Sequence, residues 1–158
     1  MNGLKVSTKG RYGLIAMIDI AAHQSSGSVS LKSVALRNEL PESYLEHLIC
    51  ALRKAGLVKS TRGAFGGYVL AKPPSAISMG DVLRVLEGPL SPVGCLVSDG
   101  HVPTHACEKC VTRPVWQRMY STVNNILDNT LLEDLANDYL CAINKACAIH
   151  KEDTTCQE

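Results

Sequence analysis

The sequence predicts a mostly α-helical chain with one small β-hairpin, and three observations carry that prediction. Apolar residues recur at three- and four-residue spacing along much of the chain. Two short helical segments stand back to back across a tight turn, and a single glycine-rich tip separates two short strand-like runs. The 158 residues suit one compact domain with appendages rather than two independent cores.

From Tyr12 to His23 the residues Leu14, Ile15, Ile18 and Ala22 follow helical spacing and Gly27 acts as a stop, which predicts a first helix. Ser30 precedes Leu31, Val34, Ala35 and Leu36 in a short helix that ends near Asn38. Pro41 suits a first helical turn, and a second short helix runs from Glu42 to Lys54 on the stripe Leu45, Leu48, Ile49 and Leu52. Gly56 is placed to end it in the left-handed conformation that glycine adopts without strain. Leu57-Val58-Lys59-Ser60-Thr61 and Tyr68-Val69-Leu70 read as two strands around the tip Arg62–Gly67. Two helices joined by a tight turn and followed by a hairpin make a winged helix-turn-helix. The glycine-rich tip has a second reading as a phosphate cradle, but that motif wants Gly-Lys-Ser/Thr opening a helix and this loop opens a strand.

Ser78-Met79-Gly80-Asp81 is a capping box for a helix through Val82, Leu83, Val85 and Leu86, ended by Gly88-Pro89 and expected to pack on the winged domain. Residues 90–111 hold Pro, Gly, His and Cys without apolar periodicity, so their order is expected to come from a bound ligand. Thr112 and Pro114 open a long helix on which Val115, Met119, Val123 and Ile126 are spaced by four, four and three, with Trp116 and Leu127 widening the stripe. Such a face pairs most simply with its own copy in a two-fold homodimer; packing back on its own domain is the alternative. Thr130-Leu131-Leu132-Glu133 is a further capping box, for a short helix through Leu135. The expected organisation is a winged helix-turn-helix domain over 1–88, a cysteine-containing loop over 89–111, a dimerisation helix and a short helix over 112–137, and a tail of unassigned structure over 138–158 that carries Cys141, Cys147 and Cys156.

Composition narrows the function classes. No stretch approaches the roughly 18 uninterrupted apolar residues of a membrane span, and no apolar run follows a basic start, so a soluble cytoplasmic protein is expected. Seven cysteines cannot all close in disulfides, and in a reducing compartment metal or redox chemistry outranks structural bridges. Charge is unevenly placed: residues 1–72 hold ten Lys/Arg and four Asp/Glu, whereas 73–158 hold six and eleven. A basic half is a footprint of polyanion binding, and equally the mark of a solvated basic face.

Three separated motifs resemble a known family. Ser7-Thr8-Lys9-Gly10-Arg11-Tyr12-Gly13-Leu14, then Ser43-Tyr44-Leu45-Glu46 with Leu52-Arg53-Lys54-Ala55-Gly56-Leu57-Val58, then Arg62-Gly63-Ala64-Phe65-Gly66-Gly67-Tyr68 are similar to the IscR and CymR type of bacterial winged-helix regulators. With Leu86-Glu87-Gly88 and Thr130 to Leu135 the resemblance covers nearly everything up to about Asn137. It implies a dimeric, cytoplasmic, double-stranded-DNA-binding transcription regulator, read here as a repressor. Leu86-Glu87-Gly88-Pro89-Leu90-Ser91-Pro92-Val93 resembles the cysteine-metabolism branch, which lacks a cluster loop. Cys95, Cys107 and Cys110 ahead of Trp116 resemble the iron–sulfur branch instead, with Cys107 and Cys110 closer together than usual there.

The start of the second helix of a helix-turn-helix lies against base edges, which places Ser43, Tyr44, Glu46 and His47. Glu46 can accept from a cytosine amino group while repelling phosphate, so it serves discrimination; His47 is a base contact or a solvated side chain. Arg62 at the wing tip suits a narrow minor groove, and Lys9, Arg11, Arg53, Lys54 and Lys59 are phosphate contacts, each with solvated surface as its alternative. Tyr12 and Tyr68 are read as core or backbone contacts, and Cys50 as packing.

Paired thiolates at Cys107 and Cys110 suit zinc, thiol exchange or an iron–sulfur cluster. A redox pair wants a helix start beside a strand–helix fold, which the pattern lacks, so a thiol oxidoreductase ranks last and no enzyme is expected. Three cysteines leave a fourth cluster position open, for which His105 is the first candidate, followed by His101, Glu108 or a tail cysteine. Cluster-binding relatives use a histidine after the third cysteine or an acidic residue near the amino terminus; Arg113 and Arg11 stand at those positions, so neither mode carries over. The reading is therefore a homodimer whose DNA affinity depends on an iron–sulfur cluster held by Cys95, Cys107 and Cys110 with His105. The cysteine-metabolism resemblance implies the runner-up, a cofactor-free regulator of cysteine and sulfur genes controlled by a partner protein, with a metabolic enzyme in that place.

Overall fold

The computed structural model describes residues 6–63, 66–96 and 109–152, the last seven as helical backbone. Its main elements run in the order α1 Thr8–His23, α2 Leu31–Asn38, α3 Glu42–Lys54, β1 Val58–Thr61, β2 Gly67–Leu70, α4 Met79–Glu87, α5 Arg113–Asn129 and α6 Leu132–Glu152. The fold is the mostly helical, winged arrangement that the sequence predicts.

α1 begins at Thr8, four residues before the expected Tyr12. Ser7 accepts a hydrogen bond from the Lys9 N–H, and the Glu87 carboxylate reaches back from the end of α4 to accept from the N–H groups of Ser7 at 3.1 Å and Gly10 at 2.9 Å. Negative charge at a helix N-terminus is favoured by the unpaired N–H groups there. The two helices come this close because Gly10 and Gly13 lack side chains: a Cβ at Gly13 would collide with Leu86, and one at Gly10 with the Glu87 carboxylate.

α2 and α3 form as expected. Ser30 caps α2 by accepting from the Ser33 N–H at 3.1 Å, and α3 buries Leu45, Leu48, Ile49 and Leu52. Gly56, at φ 75°, turns the chain out of α3, and Leu57 donates back to the Leu52 carbonyl at 3.0 Å. β1 and β2 pair antiparallel with Val58 opposite Leu70, both buried, and Thr61 opposite Gly67. Val29, just ahead of α2, exchanges hydrogen bonds of 2.9 and 2.8 Å with Tyr68. The wing is thereby tied to the entrance of the helix-turn-helix.

The carboxyl-terminal part departs from expectation. The helix expected to stop near Leu135 continues to Glu152 as α6, and the segment after Asn137, to which the sequence assigns no structure, is helical through that residue. Asn137, Asp138 and Asn144 are weak helix formers, so periodicity alone is ambiguous there. Packing against α1 decides it: Leu132 and Ala136 are buried, Leu135 packs on the same core, and at the α5–α6 corner the Met79 N–H donates to the Thr130 carbonyl and the Leu132 N–H to the Ile77 carbonyl. The element that packs back on the winged domain is thus α6. α5 touches α4 through Arg84, which donates to Asn124 at 3.0 Å and pairs with Asp128, while its Val115, Met119 and Ile126 stay 64, 41 and 60 % exposed.

A polar knot inside the apolar core joins α1, α2 and α6. The fully buried Asp19 carboxylate accepts from Arg37 Nε at 3.0 Å, Asn38 Nδ2 at 2.8 Å and the Tyr139 hydroxyl at 3.2 Å, with His23 Nδ1 3.4 Å away. Burial pushes its pKa up, but the Arg37 and Asn38 hydrogen bonds and the charges of Arg37 and His23 outweigh burial and hold the carboxyl below its ordinary value. Among the described residues no helix is long and apolar enough to cross a membrane.

Candidate nucleic-acid interface and cysteine loop

The four buried leucine and isoleucine positions of α3 fix which of its faces is free. Ser43, Glu46, His47, Arg53 and Lys54 are exposed on the opposite side at three- and four-residue spacing, with half-buried Cys50 on the same stripe. Tyr44 is partly exposed and stands edge-on to Tyr12, ring centroids 6.0 Å apart at 84°, so α1 supports the first turn of α3 through an aromatic pair. Tyr12 and Tyr68 are half-buried against the core.

The cationic candidates are all exposed: Lys9 and Arg11 at the start of α1, Lys59 on β1 and Arg62 beside the wing tip. Their positions follow from the elements beneath them rather than from ion pairs. Because the Lys9 N–H donates to Ser7 Oγ and the Arg11 N–H to the Ser7 carbonyl, these two residues meet a phosphate through their side chains. Neither Ser7 nor Glu87 is singled out by motif reasoning. Ser7 is legible as a helix cap; Glu87 is not, because it lies 77 residues from the N–H of Gly10 that it binds.

The metal candidates divide. Cys107, His105, His101 and Glu108 lie outside the described residues. Cys95 sits half-buried in a short turn over Gly94–Leu96. Cys110 stands just ahead of α5 with its sulfur 3.2 Å from the Thr112 hydroxyl, which also accepts from Trp116 Nε1 at 3.2 Å. The Thr112 hydroxyl and N–H, followed by the Arg113 N–H and charge, hold the Cys110 thiol below its ordinary pKa and favour the thiolate that binds soft metals. Among the described residues Arg113 Nη1 is a buried nitrogen without a hydrogen-bond partner, a cation available to a negatively charged neighbour. A soft thiol at Cys110 beside the Arg113 cation suits one corner of a thiolate-ligated cluster, which carries net negative charge. Leu90 accepts from Asn124 Nδ2 at 3.4 Å, so both ends of the 90–110 segment are fastened to α5, twelve residues or about 18 Å apart along its axis.

The chain matches the family model Rrf2, described as an iron-dependent transcriptional regulator, over residues 6–138. It is 52% identical over 134 residues to the HTH-type transcriptional regulator CymR of Bacillus subtilis, covering 85% of this chain and 91% of that protein. It is 35% identical over 135 residues to the HTH-type transcriptional regulator IscR of Yersinia enterocolitica, covering 85% and 80%. Among solved structures, CymR, the global cysteine regulator of B. subtilis, superposes with a TM-score of 0.71 at 51% identity, covering 85% of this chain and 97% of that one. The IscR of T. potens superposes at 0.69 and 48% identity, covering 87% and 89%. The winged helix-turn-helix with its exposed α3 stripe, and the extent of these matches, make this chain a member of the Rrf2 family of transcriptional regulators.

Proposed function

We propose that the chain is a homodimeric repressor that binds operator DNA through α3 and the wing, and that an iron–sulfur cluster on its cysteine loop sets its DNA affinity. The observation that carries the cluster reading is the placement of Cys110 at the head of α5, its sulfur 3.2 Å from the Thr112 hydroxyl, with a second anchor of the same loop, Leu90, on Asn124 of that helix. Ser43, Tyr44, Glu46 and His47 enter the major groove, Arg62 the minor groove, and Lys9, Arg11, Arg53, Lys54 and Lys59 meet phosphates. The exposed face of α5 joins two copies, giving a two-fold molecule whose recognition helices match a repeated site.

Cys95, Cys107 and Cys110 hold the cluster, with His105 in the fourth position. When bound, such a group supplies an iron centre whose oxidation state and integrity respond to the cell's chemistry. The chain's own contribution is mechanical: Thr112 orients Cys110, and Asn124 holds Leu90. Ordering the loop between those anchors then sets how α5 stands against the winged domain and so how far apart the two recognition helices lie.

The test is preparation without oxygen. Bound iron and sulfide are expected, and sharply less of both in each of Cys95→Ala, Cys107→Ala and Cys110→Ala, with no change in Cys50→Ala. Colourless protein that holds zinc or no metal and binds operator at full strength overturns the cluster reading. The 52% identity to a regulator named for cysteine control favours the second reading in that event, a cofactor-free regulator of sulfur-metabolism genes controlled by a partner enzyme.

A further inference from the structure

α5 meets the winged domain through a polar fork and a backbone corner, with no fully buried residue of its own; even Val123 and Leu127 keep partial exposure. α4, by contrast, buries Gly80, Val82, Leu83 and Leu86, so it belongs rigidly to the winged core. The fork is Arg84 of α4, whose Nη2 donates to Asn124 Oδ1 at 3.0 Å and pairs with Asp128. The two Nη2 protons leave the planar guanidinium in fixed directions, one toward each acceptor. Gly80 makes room for the fork: a Cβ there would collide with the Asp128 carboxylate and crowd the Arg84 guanidinium.

The corner lies at Thr130, where the Met79 N–H donates to the Thr130 carbonyl and the Leu132 N–H to that of Ile77. α5 therefore stands on the winged domain as an arm with its pivot at Thr130 and its latch at Asn124, about 9 Å away along the helix axis. Slack of about 1 Å at a latch so close to the pivot turns the arm by about 6°. In a two-fold dimer fixed by α5, recognition helices about 34 Å apart stand about 17 Å from the dyad, so that turn moves each by about 2 Å. The pair then shifts by roughly one base-pair step, about 3.4 Å. Arg84 and Asp128 keep 36 and 49 % exposure, a setting in which ion pairs add little to folding stability. What the fork supplies is direction.

We propose that Arg84, latched on Asn124 and Asp128 in the space that Gly80 leaves, is a positioning residue that selects operators by the separation of their half-sites. This inference rests on the reading of the chain as a DNA-binding homodimer joined through α5, and it requires no cluster. Asn124 also donates to the Leu90 carbonyl, but through Nδ2, so the latch and the loop anchor use different atoms.

The test uses the full-length protein as purified and duplexes carrying two inverted copies of a half-site selected from a randomised pool. Their separation is varied one base pair at a time, and a duplex with a single half-site is measured beside them. The parent is expected to favour one separation over its neighbours by about tenfold or more. Arg84→Met keeps the aliphatic stem and removes the fork. It is expected to bring that preference below about threefold while remaining dimeric in sedimentation and binding the single half-site within about twofold of the parent, because α3 and the wing are untouched. Gly80→Ala displaces the Asp128 carboxylate with a better helix former and is expected to act alike. An unchanged spacing preference in Arg84→Met, or in Gly80→Ala where Arg84→Met fails to fold, overturns the proposal. So does an equal loss of affinity on every duplex, or a monomer in sedimentation, either of which gives Arg84 a role in folding or assembly instead. A parent that is monomeric, or that binds two half-sites no better than one, refutes the homodimer reading itself, a distinct result obtained before any variant is compared.

Discussion

Replacing Asp19 by alanine tests whether the polar knot among α1, α2 and α6 holds this fold together. The carboxylate is fully buried and accepts from Arg37, Asn38 and Tyr139, so its removal strands three donors, one of them a guanidinium. Deleting one partner of a buried ion pair costs about 3–5 kcal/mol. The Arg37 side chain keeps 32 % exposure, which lets water screen part of its charge and places the expected loss near the low end, about 3 kcal/mol. For a chain of this size each kcal/mol moves Tm by about 2–4 °C, so thermal and urea unfolding at neutral pH should show a fall of about 6–12 °C. Because the folded carboxyl is held below its ordinary value of 3.8, its contribution is complete above that pH and disappears as pH falls through the lower, folded value. The gap between parent and Asp19→Ala should therefore close in strong acid, as pH falls below 3.8 and through the lower, folded value. A loss below about 1 kcal/mol at neutral pH, or a gap that persists undiminished in strong acid, would refute the reasoning.

Two further outcomes test the interfaces. Glu46→Ala should broaden the set of operators bound while leaving nonspecific DNA affinity equal or higher, as measured by selection from a randomised duplex pool; an unchanged preference places Glu46 off the bases. Met119→Glu with Val123→Glu should yield folded monomers in sedimentation, since paired subunits would bury unpartnered charge at a cost of several kcal/mol; dimers that persist move the interface away from α5.

The amino-terminal elements were legible because their signals are local. Ser30 and Ser78 cap helices within three residues of themselves, Gly56 ends α3 where a positive φ is required, and the stripe of α3 alone separates its buried face from the candidate base-reading face. The Glu87 contribution to the start of α1 and the length of α6 were not legible in this way, although Ser7 marks that start locally. Glu87 caps α1 from the far end of α4, and the polar residues after Leu135 dilute the periodicity that packing on α1 makes decisive. The cysteine loop lies between these cases: three thiols in a stretch without apolar spacing mark a ligand in the sequence, whereas the Thr112–Trp116 support of Cys110 and the Leu90 anchor on Asn124 are tertiary. By itself the sequence determined the helix-turn-helix, the wing and the residues free to face DNA, because caps, turns and helical periodicity act over a few residues. Only the tertiary structure decided that Asp19 knots three helices, that α6 rather than α5 returns to the core, and that Leu36 stays in solvent, because each depends on which distant surface is left to bury.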